Sequence, residues 1–345
     1  MSRRAPTAAV AALLLTLLAW PGGGAAADPL AYVTNQADDS VSVVDSPAAG
    51  QPLRVIATLP VGRKPAGVAV TPDGRRIYVS NPESKSVSVI EREGGAGDAI
   101  RHRVIADIKV GQGPLGIAAD AAGRRVFVAD WYQDQVYLID GQSLAVVGRI
   151  TVGKSPSGLA VSPSGDRLYV AYRESDSVSV VDLATLSVIA EVKTGAAPFG
   201  LAVEASGARV FAANVRSGDL SVIDAASLRE IRRLKVGAFP YGVAVTRDGR
   251  RIFVTNQHDN SVSVFDGDSY QALGRIPVGD YPEGIVVHPD GKRVLVACWF
   301  DDRLDVIDID RLAVTAHTAT GQSPRAFGQF IGVPGAELDS SLAPR

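Results

Sequence analysis

Seven short turns in this sequence carry Pro-x-Gly or, in the last, Pro-Arg-Ala, and the middle residue differs at each: Ala66, Leu115, Ser157, Phe199, Tyr241, Glu283 and Arg325. The last four are consecutive, placing two aromatics beside an acid and a base. A second variable set follows the strand that comes after each of these turns: Gln36, Pro82, Trp131, Arg173, Val215, Gln257 and Trp299. Trp131-Tyr132 and Trp299-Phe300 put four large aromatics in loops, where such side chains are unusual unless they are covered or bind something. Aromatic faces supply contact area, and paired charges supply orientation. The chemistry read here is therefore recognition of a small organic ligand or a partner protein. The ligand-binding residues it singles out are Trp131, Tyr132, Arg173, Tyr241, Glu283, Trp299 and Arg325. The rival reading is structural: Glu283 pairs with Arg325, and the aromatics plug a channel.

Other chemistries find less support. The four histidines, His102, His258, His288 and His317, are far apart and form neither HxH nor HExxH, so no protein-only metal site is expected. His258 lies beside Asp259 and is the one histidine placed to act as a general base on the candidate face. There is no GxSxG elbow, phosphate loop or EF-hand pattern. No CxxCH is present, so no covalently held haem is expected, and no other cofactor is indicated. The same loops carry acids such as Asp38, Asp39, Glu83, Glu174, Asp301 and Asp302 against only Lys85, Arg173, Arg216 and Arg303. Aromatics that could stack bases are present, but a positive groove to follow a phosphate backbone is not. Nucleic acid is therefore not expected as a partner.

These residues are positioned by a repeat. AYVTNQADDSVSVVD at Ala31 returns as IYVSNPESKSVSVIE at Ile77 and LYVAYRESDSVSVVD at Leu168. It returns again as IFVTNQHDNSVSVFD at Ile252. The slot held by Asn35 recurs at 81, 130, 172, 214, 256 and 298, with a constant spacing of 42 from 130 onward. Repeats of about 40–50 residues holding four short strands are the sequence form of a β-propeller. GVAV-like segments give strand A, and Asp-Gly or Ser-Gly supplies the turn after it. RIYVTN-like segments give strand B, SVSVVD strand C, and the segment ending in Val-Gly strand D. Strand C alternates serine with valine, as expected where one face meets the next sheet.

The chain opens on a strand B, Ala31–Thr34, and ends on a strand A, Ala326–Ile331. Each lacks the partner that the other supplies. The predicted fold is therefore all-β: a seven-bladed propeller of four-stranded blades, closed by pairing of the N- and C-terminal strands. Closure removes the unpaired edges that invite aggregation. The turns carrying Pro-x-Gly and the B–C loops then emerge on one face, around the mouth of the central channel.

The YVTN, VSVID-like and PxGVAVxPDG segments resemble the YVTN-family propeller repeat across residues 30–331. That resemblance implies the fold strongly and the function weakly. Similar propellers serve as binding proteins, surface proteins, lactonases and subunits of redox systems. The resemblance leaves two alternatives to a non-enzymatic binding protein. One is a lactonase-like hydrolase using Glu283, Arg325 and His258 at the mouth, and the other is an auxiliary subunit of a periplasmic redox system.

The first residues read as an address. Arg3 and Arg4 precede an apolar run from Ala8 to Trp20 and the small residues Ala25-Ala26-Ala27, the pattern of an export signal cut after Ala27. The run is shorter than the roughly 20 apolar residues of a membrane span. The expected organisation is a signal at 1–27, a propeller at 28–333 and a tail at 334–345, in a periplasmic or secreted monomer with no membrane span in the mature chain. Cleavage would leave 33 basic against 37 acidic residues, a mild excess of negative charge. Cys298 is the only cysteine, so no intramolecular disulfide is available, and it is expected to be a poorly reactive thiol with no Lys, Arg or His beside it. Alternation in DVIDID around Asp308 places its carboxylates on a solvated edge.

Overall fold

The computed structural model describes residues 28–47, 50–94 and 100–332. The predicted signal, its cleavage site and the tail lie outside the described residues. The chain forms seven four-stranded antiparallel sheets. Six are continuous in sequence. Blade 1 starts at Val68, blade 2 at Pro114, blade 3 at Pro156, blade 4 at Pro198, blade 5 at Pro240 and blade 6 at Pro282. Blade 7 joins Ile331–Gly332 to the three strands Leu30–Asn35, Ser40–Asp45 and Arg54–Pro60. Among the described residues, no helix is long and apolar enough to cross a membrane.

Closure occurs through the termini, but the last strand is not the continuous Ala326–Ile331 expected. In blades 2–6 a single extra residue bulges strand A: Pro240 faces Asn256, and then Val243 faces Val254. In blade 7 Pro324 faces Asn35 and Ile331 faces Ala31, so three extra residues leave the ladder. They turn inward with Ala326 and Gly328 at φ 48° and 106°, and align with the inner edge of blade 1. There Val68 and Val70 donate to the carbonyls of Phe327 and Gln329 at 3.0 and 2.9 Å. The excursion carries the buried Phe327 ring into contact with Phe199 and Tyr241.

The Asn slot explains the serines. Asn35 Nδ2 donates to Ser40 and Ser42 Oγ at 2.9 Å, and Asn256 repeats this to Ser261 and Ser263. Strand C is thus buried on both faces, valines against the neighbouring blade and serines beneath the Asn amide. Asp305 occupies one of these serine positions, which corrects the reading of DVIDID as a solvated edge. It is fully buried, receives Arg303 at 2.7 Å and accepts from Gly279 N–H. Cys298 takes the Asn slot opposite Arg303, so a base does face it. Burial nevertheless pushes the thiol up, Asp305 adds to this, and Arg303 opposes only in part.

The loop acids also have structural work. Asp39, Asp134, Asp176 and Asp302 accept from the backbone N–H of Lys64, Ser155, Ala197 and Ser323, pinning each strand D exit to its own blade. On the opposite face, the arginine that opens strand B staples blades 1–4 and 6 to the next, while Arg251 of blade 5 turns to Asp266 of its own blade. Arg125 donates to the carbonyls of Gly165 and Leu183, Arg167 to Ala225, Arg209 to Gly267 and Arg293 to Pro47.

Candidate functional site

The mouth is built on a backbone that hardly varies. Except at Pro82, which has no N–H, the first residue of each B–C loop donates to the residue before the Pro of the preceding turn, as Trp131 does to Gly113, Arg173 to Ser155 and Trp299 to Tyr281. The residue before the Pro is left-handed at Lys64, Ser155, Ala197, Phe239, Tyr281 and Ser323. Side-chain identity at these positions is therefore free of the repeat, while position is fixed by it.

Six of the seven predicted residues fall in one network. Arg325, from blade 7, reaches across two blades. Its Nε and Nη2 meet Glu283 at 2.5 and 3.2 Å, and Nη2 also donates to Tyr241 Oη at 2.6 Å. Its guanidinium lies 5.9 Å from the Trp299 ring centre and 5.6 Å from that of Phe327. Gln257 Nε2 donates to Glu283 at 3.0 Å. Tyr241 stacks on Phe199 with centroids 4.0 Å apart, and Trp131 tilts against Phe199 at 6.4 Å. Arg173 covers Trp131 and Phe199 at 5.5 and 5.9 Å. Tyr132 stands outside the network, 74% exposed, with its ring over Gly113.

Electrostatics follow from depth. Glu283 is 1% exposed. Burial pushes its carboxyl up, while Arg325 and Gln257 pull it back. Burial opposes the charge on Arg325, but Glu283 and the Tyr241 hydroxyl outweigh it, and the guanidinium is held more firmly protonated. Burial raises Tyr241 well beyond the ordinary phenol range. Glu283, Arg325 and Tyr241 thus form a closed, satisfied triad, as the structural reading anticipated. Ala66, Ala197, Phe199, Val215, Tyr241 and Phe327 pack as one cluster that blocks the channel at this end. Beneath it lies a cavity of about 510 Å³, lined by strand A residues such as Leu159, Leu201 and Val243 and reaching Arg247 and Pro289. Apart from the cluster's Phe199 and Phe327, no mouth residue lines it.

Two groups at the mouth were not singled out in the sequence. Gln257 orients Glu283. Beyond it runs a surface chain of rings: Phe239 on His258 at 3.8 Å, His258 on Tyr281 at 5.7 Å, and Tyr281 on Trp299 and Phe300 at 5.2 and 5.1 Å. Phe239 and Tyr281 precede the Pro of consecutive turns, a coincidence visible only when repeats are aligned. His258 is committed to this stack. Asp259 turns instead to Arg275 at 3.1 Å and to Ala238 N–H. Among the described residues no hydrogen bond links His258 to Glu283 or Arg325, and no group of three or more His, Cys, Asp or Glu is placed to hold a metal.

A family model described as YNCE-like beta-propeller matches residues 6–331. The chain belongs to the YNCE-like beta-propeller family. Comparison with curated proteins gives no match. Among solved structures, this YNCE-like propeller is similar to the Pseudomonas aeruginosa periplasmic gluconolactonase, with 19% identity, TM-score 0.74, and 86% and 97% of the two chains covered. A putative 6-phosphogluconolactonase from Bacteroides fragilis aligns at 14% identity and TM-score 0.75, over 87% and 97% of the chains. Kuenenia stuttgartiensis hydrazine synthase aligns at 22% identity and TM-score 0.69, over 76% and 88%. At these identities the likeness is one of fold.

Proposed function

We propose that this YNCE-like propeller is an exported, non-catalytic binding protein. Its B–C loop face receives a small ligand or a periplasmic partner through Trp131, Tyr132, Arg173, Tyr241, Glu283, Trp299 and Arg325. The observation that carries the reading is the aromatic surface at the mouth. Phe300 is 65% exposed and Tyr132 74%, and the ring chain behind Phe300 spans two blades with no role in the repeat. Rings held in water at fixed loop positions are pre-organised contact area. The hydrolase alternative is less well served, because Glu283 is buried and bonded to Arg325 and Gln257 and is not free to act as acid or base.

The test is isolation from the native host with and without Trp299→Ala and Phe300→Ala, followed by mass spectrometry of what co-purifies. A component held by the wild type and lost from variants of unchanged melting temperature supports the proposal. The same component retained by both variants contradicts it. N-terminal sequencing of that material should begin at Asp28.

A further inference from the structure

The mouth holds two hydrogen-bond donors with nothing to donate to. Arg173 is half-buried, its guanidinium lies against Trp131 and Phe199, and among the described residues it meets no carboxylate or carbonyl. The indole Nε1–H of Trp299 is buried and also lacks an acceptor. Buried donors are nearly always satisfied, and a desolvated guanidinium most of all. The two border one patch. Arg173 lies over Phe199, Phe199 stacks on Tyr241, and Arg325, bonded to Tyr241, lies 5.9 Å from the Trp299 ring centre. Arg216 and Glu174, one of each sign, lie within electrostatic range of Arg173. The buried acid at the mouth, Glu283, is already neutralised by Arg325. Donors in excess, set among aromatic faces, complement acceptors on a flat body.

Resting on the binding reading above, we infer that the ligand of this face is an oxyanion, a carboxylate or phosphate carried on an aromatic or apolar body. Arg173 is its counter-charge, Trp299 Nε1–H a second donor, and the Tyr281 and Phe300 rings packed on Trp299 the apolar wall beside it. Arg173 makes no bond that the fold needs, and its burial already disfavours the bare cation. An anion relieves that cost through charge-assisted hydrogen bonds.

Trp131 and Trp299 are the only tryptophans after residue 27, so intrinsic fluorescence of the mature protein reports this face alone. The experiment titrates benzoate, phenyl phosphate, benzamide and benzylammonium. Saturable quenching by one or both anions is expected, weakened about tenfold or more in Arg173→Gln and largely restored in Arg173→Lys. Glu174→Gln should tighten it, and Arg247→Gln, at the far end of the channel, should leave it unchanged. Benzoate against phenyl phosphate separates the two sources of the oxyanion. No saturable response to either anion, equal affinity for benzamide, or an Arg173→Gln variant that binds anions as well as the wild type would overturn the inference. A response to benzamide or benzylammonium alone would overturn it while leaving the face as a binding site. Calorimetric binding that leaves tryptophan emission unchanged would count against the face itself.

Discussion

The two faces of this propeller use arginine in opposite ways. On the A–B turn face, Arg76, Arg125, Arg167, Arg209 and Arg293 recur at the start of strand B, and each donates to a carbonyl of the following blade. Glu204, Asp120 and Asp290 pair with three of them. On the mouth face Arg173 and Arg325 each occur once. Arg325 is locked to Glu283, and Arg173 covers two rings with no acceptor. A residue required by the blade recurs, as the strand B arginine does in five blades with a carbonyl of the next blade as its partner. A residue present for another reason appears once, and its partner need not belong to the protein.

The sharpest way to break this contrast is to open the ring. Phe327, Phe330 and Ile331 are buried, and they join the termini through blade 7 and its contact with blade 1. Removing the chain from Phe327 onward exposes both strand edges and the apolar faces behind them. Loss of cooperative unfolding, read by circular dichroism during a thermal melt, is the expected outcome, and an unchanged melt would refute closure.

A smaller effect separates the paired mouth arginine from the unpaired one. Glu283→Ala leaves the Arg325 charge buried without its carboxylate, at a cost of about 3–5 kcal/mol in denaturant unfolding. Replacing both partners together, as Glu283→Gln with Arg325→Met, should recover much of that loss. Equal losses in the single and double variants would show that the pair does not act as a unit.

The smallest effect is electrostatic and lies between blades 7 and 1. His102 Nε2 meets Tyr32 Oη at 3.1 Å, and burial, with Arg92 nearby, lowers its pKa to about 4. The fold binds fewer protons than the unfolded chain between about pH 4 and 6.5, so this stability is full above 6.5 and is lost as pH falls toward 4. Burial shifts His288 in the same direction. Allowing for solvent screening of a half-buried ring, His102→Gln should reduce the stability lost between pH 7.5 and 4.5 by about 1–2 kcal/mol. An identical pH profile in the variant would assign the acid sensitivity elsewhere.

Much of the architecture was legible because the repeat states it seven times. The strands, the blade count and the pairing of the ends all follow from the spacing of the Asn slot. The inward turn at Phe327 was not legible, because it depends on three extra residues in the one strand A that has no following strand B for comparison. Asp305 was misread because alternation was assumed to separate a wet face from a dry one. Here both faces of strand C are covered, and the Asp305 carboxylate stands where serine does with Arg303 and the Gly279 N–H as its partners. At the mouth, the variable positions identified Glu283, Arg325 and Tyr241, and their mutual bonds require the geometry of three neighbouring blades. Phe239 and Tyr281 escaped notice because each is unremarkable in its own turn. They become a surface only through His258 between them.

The central claim is that arginines that recur hold the fold, and that the one mouth arginine without a partner in the protein, Arg173, serves binding. It is tested most directly by denaturant unfolding of Arg209→Met beside Arg173→Met. Arg209 is paired with buried Glu204 at 2.7 Å, and its loss should cost about 3 kcal/mol by leaving that carboxylate unpaired. Arg173→Met should change stability by no more than about 0.5 kcal/mol, since no bond is broken. If Arg173→Met unfolds the protein as readily as Arg209→Met, then the mouth arginine belongs to the frame and the claim is wrong.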